Sequence, residues 1–264
     1  MQYRDVTCHH ALKRITRQDV LFHGQYTVDP YQRCTLGCRY CDSAQDSVDV
    51  QVNIADVLDH ELKTVPKGRV ILGSVHDPYQ PVEEQTGLSH KVLLALREHG
   101  FSCQILTKSP LVLRDVDVLA SFDCHVTISL LSVDSHLADV FEPKVASPRA
   151  RLDLVRTIRR KNVTAGVALI PFLPVLAESS LESTIAAVAD AQASYLVYKH
   201  LELKGEQRDL FLEVLARDFP EAVHEYHMWY DEAIAPDSKY LKELREKIQG
   251  LCQRYALPCR SLLP

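Results

Sequence analysis

The sequence has no apolar run that approaches the roughly 20 residues needed to cross a bilayer as a helix. Its first residues, MQYRDVTCHHALKR, lack the apolar core of a signal peptide. It has no low-complexity tract, no evident repeat and no Gly/Ser-rich linker. Hydrophobic residues make up 46% and charged residues 25%, which excludes disorder, collagen and coiled coil as the main organisation. We expect a globular cytoplasmic protein that does not act on a membrane.

The sequence also lacks an excess of positive charge. Its formal net charge is -5, which argues against a protein whose electrostatics are dominated by nucleic-acid binding. A local basic face is still compatible with this balance. Nucleic acid is therefore not the favoured partner.

Short runs rich in β-branched residues alternate with amphipathic stretches along the 264 residues. Such runs are typical of buried strands, and the stretches between them are typical of helices. A Ser147-Pro148 pair marks one helix start, because serine caps and proline suits the first turn. Strands are predicted near 25–29, 69–74, 102–107, 125–130, 163–170 and 194–203; helices are predicted near 53–64, 88–99, 111–120, 148–160, 180–191, 206–217 and 237–255.

Six β–α units with crossovers of this length predict a parallel sheet. Six strands are too few for a closed eight-stranded barrel, so the pattern fits either an incomplete barrel or a doubly wound sheet. In both architectures ligands bind at the carboxyl ends of the strands. We divide the chain into an N-terminal extension (1–24), a core (25–205) and a C-terminal helical segment packed on that core (206–264).

Three of the eight cysteines follow the first predicted strand at the spacing Cys34-x3-Cys38-x2-Cys41. A short loop can fold three thiolates around one centre. Structural zinc usually takes four ligands, and neither His23 nor Asp42 has a familiar spacing as the fourth. A [4Fe–4S] cluster with three protein ligands leaves one iron free for a small molecule.

The other cysteines indicate less. Cys103 and Cys124 lie within predicted strands and are expected in the core. Cys252 and Cys259, with Cys8 as a further ligand, leave a second cluster open as an alternative.

The cysteine spacing, with aromatic Tyr40 before the third cysteine and a six-fold βα array behind it, resembles the radical S-adenosylmethionine (SAM) superfamily. The resemblance implies an incomplete (β/α)6 TIM-like barrel and a cluster held by Cys34, Cys38 and Cys41. It implies reductive cleavage of SAM to a 5′-deoxyadenosyl radical that abstracts hydrogen from a substrate. Tyr40 would pack near the cluster and the adenine. An electron donor such as flavodoxin or ferredoxin is also implied.

Further segments resemble the spore photoproduct lyase-like branch of that superfamily. By this resemblance Lys108 would meet the SAM carboxylate, and Ser129 would hydrogen-bond the SAM ribose or amino-acid end. Ser74 and Asp77 would line the SAM pocket. His76 and Tyr79 are candidates for catalysis, whereas Arg149 and Arg151 are expected in solvent. The segments are 8–12, 73–81, 106–109, 127–129, 142–143 and 147–151, within a resemblance over roughly residues 3–205.

Two positions depart from the lyase pattern. Ser74 stands where the lyases carry a hydrogen-donating cysteine, and a hydroxyl is a poor hydrogen-atom donor. Asp42 stands where they carry a functional tyrosine. The leading interpretation is therefore a radical SAM enzyme, lyase-like or otherwise, acting on an unidentified small-molecule or macromolecular substrate. A DNA-repair lyase of the photoproduct type and a non-catalytic iron–sulfur sensor or binding protein are the alternatives.

Overall fold

The computed structural model of the chain describes residues 2–261. In that range no helix is long and apolar enough to span a membrane. The strands are β1 (Gln2–Val6), β2 (Lys13–Arg14), β3 (Tyr26–Val28), β4 (Tyr31–Gln32), β5 (Ser47–Gln51), β6 (Arg69–Leu72), β7 (Ser102–Thr107), β8 (Cys124–Ser129), β9 (Thr164–Phe172), β10 (Leu196–His200) and β11 (Cys259–Ser261).

The helices lie mostly between these strands and after β10. They are α1 (Ile54–Glu61), α2 (Glu83–Thr86), α3 (Leu88–Glu98), α4 (Val116–Leu119), α5 (Ser135–Phe141), α6 (Pro148–Arg160), α7 (Leu181–Asp190), α8 (Gly205–Asp218), α9 (Val223–Tyr230) and α10 (Ser238–Arg254), with 3-10 turns at Pro110–Asp115 and Pro220–Ala222.

The main sheet has the order β11-β10-β9-β8-β7-β6-β3-β2. Strands β3 and β6 to β10 are parallel and follow one another in chain order. A doubly wound sheet reverses its strand order at a switch point, and this order does not reverse. The winding is therefore consistent with a partial barrel. The pairings described within residues 2–261 form an open sheet.

All six predicted parallel strands are confirmed, and so is the α/β class. The sheet extends at both edges beyond the prediction, with β2 antiparallel to β3 and β11 parallel to β10. The segment after residue 205 is therefore not purely helical. Strands of two or three residues carry no alternation of polar and apolar side chains, so no periodicity marked them.

A second, small sheet has the order β1-β5-β4. Strand β1 of the predicted N-terminal extension pairs in parallel with β5, and β4 pairs with β5 antiparallel. Strands β4 and β5 bracket residues 33–46, which contain the three clustered cysteines. This sheet therefore fixes both ends of the cysteine loop.

Helix α6 shows how the sequence sets the packing. Ser147 caps it by accepting the N–H of Ala150 at 3.3 Å, as predicted. Leu152, Val155 and Ile158 recur at helical spacing and are buried against the sheet.

Candidate active site

A cavity of about 330 Å³ opens at the carboxyl ends of the six parallel strands. Residues in the last part of these strands or in the segments that follow them line it, so the site lies where the fold predicts a ligand. The lining residues are Tyr40, Cys41, Asp42, Gly73, Ser74, Val75, His76, Asp77, Leu106, Thr107, Lys108, Ser129, Ile170, Pro171, Lys199, His200, Leu201, Glu202, Lys204 and Gln207.

The cysteine loop folds back on itself beside this cavity. The N–H of Cys34 donates to the Ser43 carbonyl and the N–H of Gln45 donates to the Cys34 carbonyl, both at 2.9 Å. Gly37 turns the loop in the left-handed region, with φ of 68°. Cys34 and Cys38 are buried, and Cys41 is half-buried on the cavity wall.

The three thiols are close enough to influence one another electrostatically. Burial raises the pKa of the Cys38 thiol to about 12; Lys108 opposes this rise, whereas Glu142 and then the thiols of Cys41 and Cys34 add to it. Burial, followed by the Asp77 carboxylate, raises the pKa of Cys34 to about 11. Thiols with such pKa values stay protonated unless a metal or a cation stabilises the thiolate.

Three neighbouring soft sulfur donors suit an iron–sulfur cluster that keeps one open iron. Among residues 2–261, no three His, Cys, Asp or Glu side chains are already gathered tightly enough to enclose a metal ion. Of the two side chains considered as a fourth zinc ligand, His23 lines cavities at the opposite ends of the strands, whereas Asp42 lines the same cavity as Cys41. The donor set therefore fits a cluster better than a four-ligand zinc site.

Lys108 lies at the carboxyl end of β7, on the cavity wall. Its Nζ is 4.0 Å from Glu142 Oε1 and 5.9 Å from the centre of the Tyr40 ring. Burial alone lowers the pKa of Lys108, but Cys38, Glu142 and Asp77 raise it overall. Lys108 therefore remains an ammonium that can bind a carboxylate.

Two buried charged residues stand behind this lysine. Arg151 Nη2 is 2.6 Å from Glu142 Oε2, and Arg151 Nη1 donates to the Ser129 carbonyl at 2.9 Å. The Tyr40 hydroxyl donates a hydrogen bond to Glu142 Oε1. The expectation that Arg151 is solvated is wrong, since it is 1% exposed, whereas Arg149 is exposed as expected.

Asp77 lies on the cavity wall, but its carboxylate is hydrogen-bonded to other groups of the protein. It accepts hydrogen bonds from Thr107 Oγ1 at 2.6 Å, the Lys108 N–H at 2.7 Å and the Tyr79 N–H at 2.9 Å. These bonds tie the loop after β6 to the end of β7. Gly73 permits this loop, because its φ is 89° and a Cβ there would lie 2.6 Å from the Leu106 carbonyl oxygen.

Ser74 and His76 form a second polar group on the same loop. Ser74 Oγ donates to Asp29 Oδ2 at 3.2 Å. Burial lowers the pKa of His76, so the imidazole is neutral at pH 7. Within the described residues, Asp29 Oδ1 and His76 Nδ1 are buried without a hydrogen-bond partner.

Tyr79, the other candidate for catalysis, lies away from this wall. It is 1% exposed and its hydroxyl donates to Asp115 Oδ2 at 2.9 Å. Arg114 Nη2 binds the same carboxylate at 2.8 Å, and His90 Nδ1 lies 2.7 Å from the other oxygen. The structure thus brings together all the other predicted residues at or beside the cavity, but not Tyr79.

On the far rim of the cavity, Lys199 and His200 were expected near the mouth because they end the sixth predicted strand, whereas Glu202 and Lys204 were not predicted as part of the site. Glu202 bridges Lys199 at 2.7 Å and Lys204 at 2.8 Å. His200 also lines this rim. The only signal in the sequence is position, because these residues end or follow the sixth strand.

The other cysteines lie apart. Cys103 and Cys124 are register partners on β7 and β8 in the core. Cys252 lies on α10 and Cys259 begins β11, whereas the backbone of Cys8 is hydrogen-bonded to the Asn53 side chain near the small sheet. Cys8 therefore lies on a different part of the fold from Cys252 and Cys259, and these two thiols alone are too few to hold a second cluster.

Comparisons with known proteins find relatives over most of this chain. An uncharacterized protein of Mycobacterium tuberculosis is 31% identical over 277 residues, covering 97% of this chain and 81% of the relative. One of Methanocaldococcus jannaschii is 24% identical over 246 residues, covering 86% and 90%. Spore photoproduct lyase complexed with dinucleoside spore photoproduct superposes with a TM-score of 0.71 at 15% identity, covering 98% of this chain and 81% of the lyase. This last likeness concerns the fold.

The same fold recurs in Streptococcus suis SuiB bound to S-adenosylmethionine, with a TM-score of 0.61 and 12% identity, covering 89% of this chain and 49% of that one. The Radical SAM superfamily model matches residues 28–188, more than half of the chain, including the cysteine loop and the parallel strands β6 to β9 in full. The chain belongs to the Radical SAM superfamily.

Proposed function

We propose that the chain is a radical SAM enzyme whose Cys34, Cys38 and Cys41 hold one [4Fe–4S] cluster. The observation that carries the proposal is the meeting of this cysteine loop with the Lys108 ammonium at one cavity, at the carboxyl ends of the strands. When bound, the reduced cluster supplies the electron that cleaves SAM to a 5′-deoxyadenosyl radical, which then takes hydrogen from the substrate. The electron comes from a donor such as flavodoxin or ferredoxin, in the reducing cytoplasm.

The protein's own residues have binding and positioning roles in this proposal. Lys108 pairs with the SAM carboxylate, and Glu142 balances its charge when SAM is absent. Arg151 holds the Ser129 carbonyl, so that the Ser129 side chain is presented to the cavity. Asp77 keeps the loops after β6 and β7 together. The cavity wall formed by His76 and the far rim faces the substrate.

Anaerobic reconstitution tests the cluster. We expect about four irons per chain in the wild type, with most of the iron lost in Cys38→Ala. Cys8→Ala is the matched control, because Cys8 lies outside the cysteine loop and does not line the cavity, and it should retain full iron. Full iron in Cys38→Ala would overturn the ligand assignment.

Incubation with labelled SAM and dithionite tests the activity. An enzyme releases 5′-deoxyadenosine, whereas a non-catalytic sensor binds SAM without cleaving it. Recovery of methionine or of intact SAM further shows whether the cofactor is consumed or recycled.

The second candidate is lesion repair of the photoproduct type, favoured by the fold likeness to spore photoproduct lyase. Cys41 is the one cysteine among the described residues that line the cavity, and it is assigned here to the cluster. Ser74, at the position of the lyase's donor, binds Asp29. We therefore expect no repair of dinucleoside spore photoproduct by the wild type, even when SAM is cleaved. Repair at a rate comparable to SAM cleavage would make the lyase the better assignment.

A further inference from the structure

Several Lys and Arg side chains lie at the amino ends of the strands, which is the end of the sheet opposite the candidate active site. A cavity of about 640 Å³ lies against the residues that precede β6, β7 and β8. A second cavity, of about 380 Å³, adjoins it and shares His23, Gln25 and Lys67. We call this the amino-end surface; its cations are Arg14, Arg17, Lys67, Arg69 and Arg97.

Two carboxylates line these cavities, Asp19 and Asp123, and both bind other groups of the protein. Asp19 accepts the N–H groups of Leu21, Phe22 and Gly24 and so closes its own turn. Asp123 pairs with Arg69 at 3.2 Å. Both carboxylates keep their negative charge, so the five cations of the surface exceed its carboxylates by three.

The four cations other than Arg69 are exposed. Among the described residues, none of them has an ion-pair partner: Lys67 lies over the Phe101 ring at 4.7 Å, and Arg97 donates to the Ser121 hydroxyl at 3.4 Å. Many other Lys and Arg residues of the chain do have carboxylate partners, as Arg4 has in Asp49 and Arg208 has in Asp231. Unpaired cations gathered on one face of an acidic chain create a local positive potential.

The arrangement also indicates the shape of the ligand. Arg14 and Arg17 line one cavity, Arg97 lines the other, and Lys67 lies between them on both. The cations are therefore spread over two adjoining cavities that share Lys67, and they do not all line one cavity. A single phosphate would need the cations gathered in one cavity, whereas the consecutive phosphates of a nucleic-acid strand can pair with cations spread over two adjoining cavities.

We propose that the amino-end surface binds the phosphodiester backbone of nucleic acid. The surface lies at the strand ends opposite the proposed active site, so this binding places the protein on a polymer without occupying the cavity. It needs neither the cluster nor SAM.

Fluorescence anisotropy with fluorescein-labelled 20-nucleotide DNA, single-stranded and duplex, and with the matching RNA tests the proposal. The quadruple variant Arg14→Gln/Arg17→Gln/Lys67→Gln/Arg97→Gln should bind at least tenfold more weakly at 50 mM KCl. The slope of log K against log salt should fall in magnitude by about 3, because each lost phosphate contact removes roughly 0.7–0.9. The three oligonucleotides show which strand type the surface prefers.

The matched control neutralises four exposed lysines elsewhere, Lys91→Gln/Lys161→Gln/Lys239→Gln/Lys242→Gln, and should bind as the wild type does. Circular dichroism checks that both variants fold. Absence of binding by the wild type at 50 mM KCl, equal binding by the quadruple variant, or an equal loss in the control would overturn the proposal. Binding to phosphatidylserine vesicles without binding to any oligonucleotide would overturn it as well.

Discussion

At the scale of single residues, Lys108 shows how the surroundings define a side chain's role. A lysine in a turn before a proline is ordinarily solvated, but this side chain is only 16% exposed. Its cationic state depends on the anionic groups around it, because burial alone would lower its pKa. A carboxylate ligand can bind here because the ammonium has a counter-charge at 4.0 Å but no close hydrogen-bonded ion pair with it.

Replacement of this ammonium should weaken SAM binding specifically. We expect Lys108→Met to raise the Kd of SAM about 10- to 100-fold, the effect of losing one hydrogen bond between charged groups. Equilibrium dialysis against labelled SAM measures it, with iron content determined on the same sample. Exposed Lys91→Met is the control. An unchanged Kd would remove Lys108 from the SAM site, and lost iron would give it a structural role instead.

Glu202 on the far rim gives a pH-dependent prediction. Burial alone raises the pKa of Glu202, but Lys199 and Lys204 lower it to about 2, from an ordinary value of 4.5. A lowered pKa in the folded state means that the ionised group stabilises the fold above about pH 4.5, and that this contribution is lost as the pH falls toward 2. Because Glu202 is 26% exposed, we expect Glu202→Gln to cost only about 1 kcal/mol at pH 7.

Urea unfolding of both proteins between pH 7 and pH 3 tests this. The difference in free energy of unfolding between wild type and Glu202→Gln should shrink steadily below pH 4.5. A difference that stays constant across this range would mean that the two lysines do not stabilise the carboxylate.

At the scale of elements, helix α6 carries both an internal and an external arginine. Arg151 is buried against Glu142 and the end of β8. Arg156, one and a half turns later, pairs with Asp153 and Asp190 at the surface. The same helix therefore carries one buried and one exposed arginine, each paired with carboxylates, and the two can be compared directly.

Loss of the buried pair should cost much more than loss of the exposed one. Arg151→Met leaves the Glu142 carboxylate in the interior without its nearest cation, which we expect to cost about 3–5 kcal/mol of stability. Arg156→Met should cost less than about 1 kcal/mol. Denaturant titration of both variants gives the comparison. Equal costs would show that the Arg151 pair is no more important than a surface bridge.

The elements also show what could be predicted from sequence. Runs such as RVIL in β6 and CHVTIS in β8 predicted buried strands, and Ser147 predicted the start of α6, because these signals are local. Strands β1 and β11 were missed because only their tertiary partners define them. The pairing of Arg151 with Glu142 and the direction of Tyr79 were missed for the same reason: both depend on how β7, β8 and the intervening turns are placed together.

At the scale of the whole molecule, the parallel sheet separates two surfaces with different chemistry. The carboxyl ends hold a cavity in which cations and carboxylates balance, lined from all six strands. The amino ends hold unpaired cations in a chain whose net charge is -5. The net charge alone argues against nucleic acid as a partner, but the local electrostatic potential depends on where the charges lie.

This separation predicts that the two proposed functions fail independently. Substitutions far apart and without shared partners usually act additively. The quadruple variant of the amino-end surface should therefore release 5′-deoxyadenosine within about twofold of the wild-type rate, because none of its four residues lines the active-site cavity. Conversely, Cys38→Ala should abolish SAM cleavage and keep its oligonucleotide affinity within about twofold.

Both assays are run on the same four proteins, the two variants, the lysine control and the wild type. Loss of oligonucleotide binding in Cys38→Ala would mean that the nucleic acid reaches the cavity, and the polymer would then be a candidate substrate instead of an anchor.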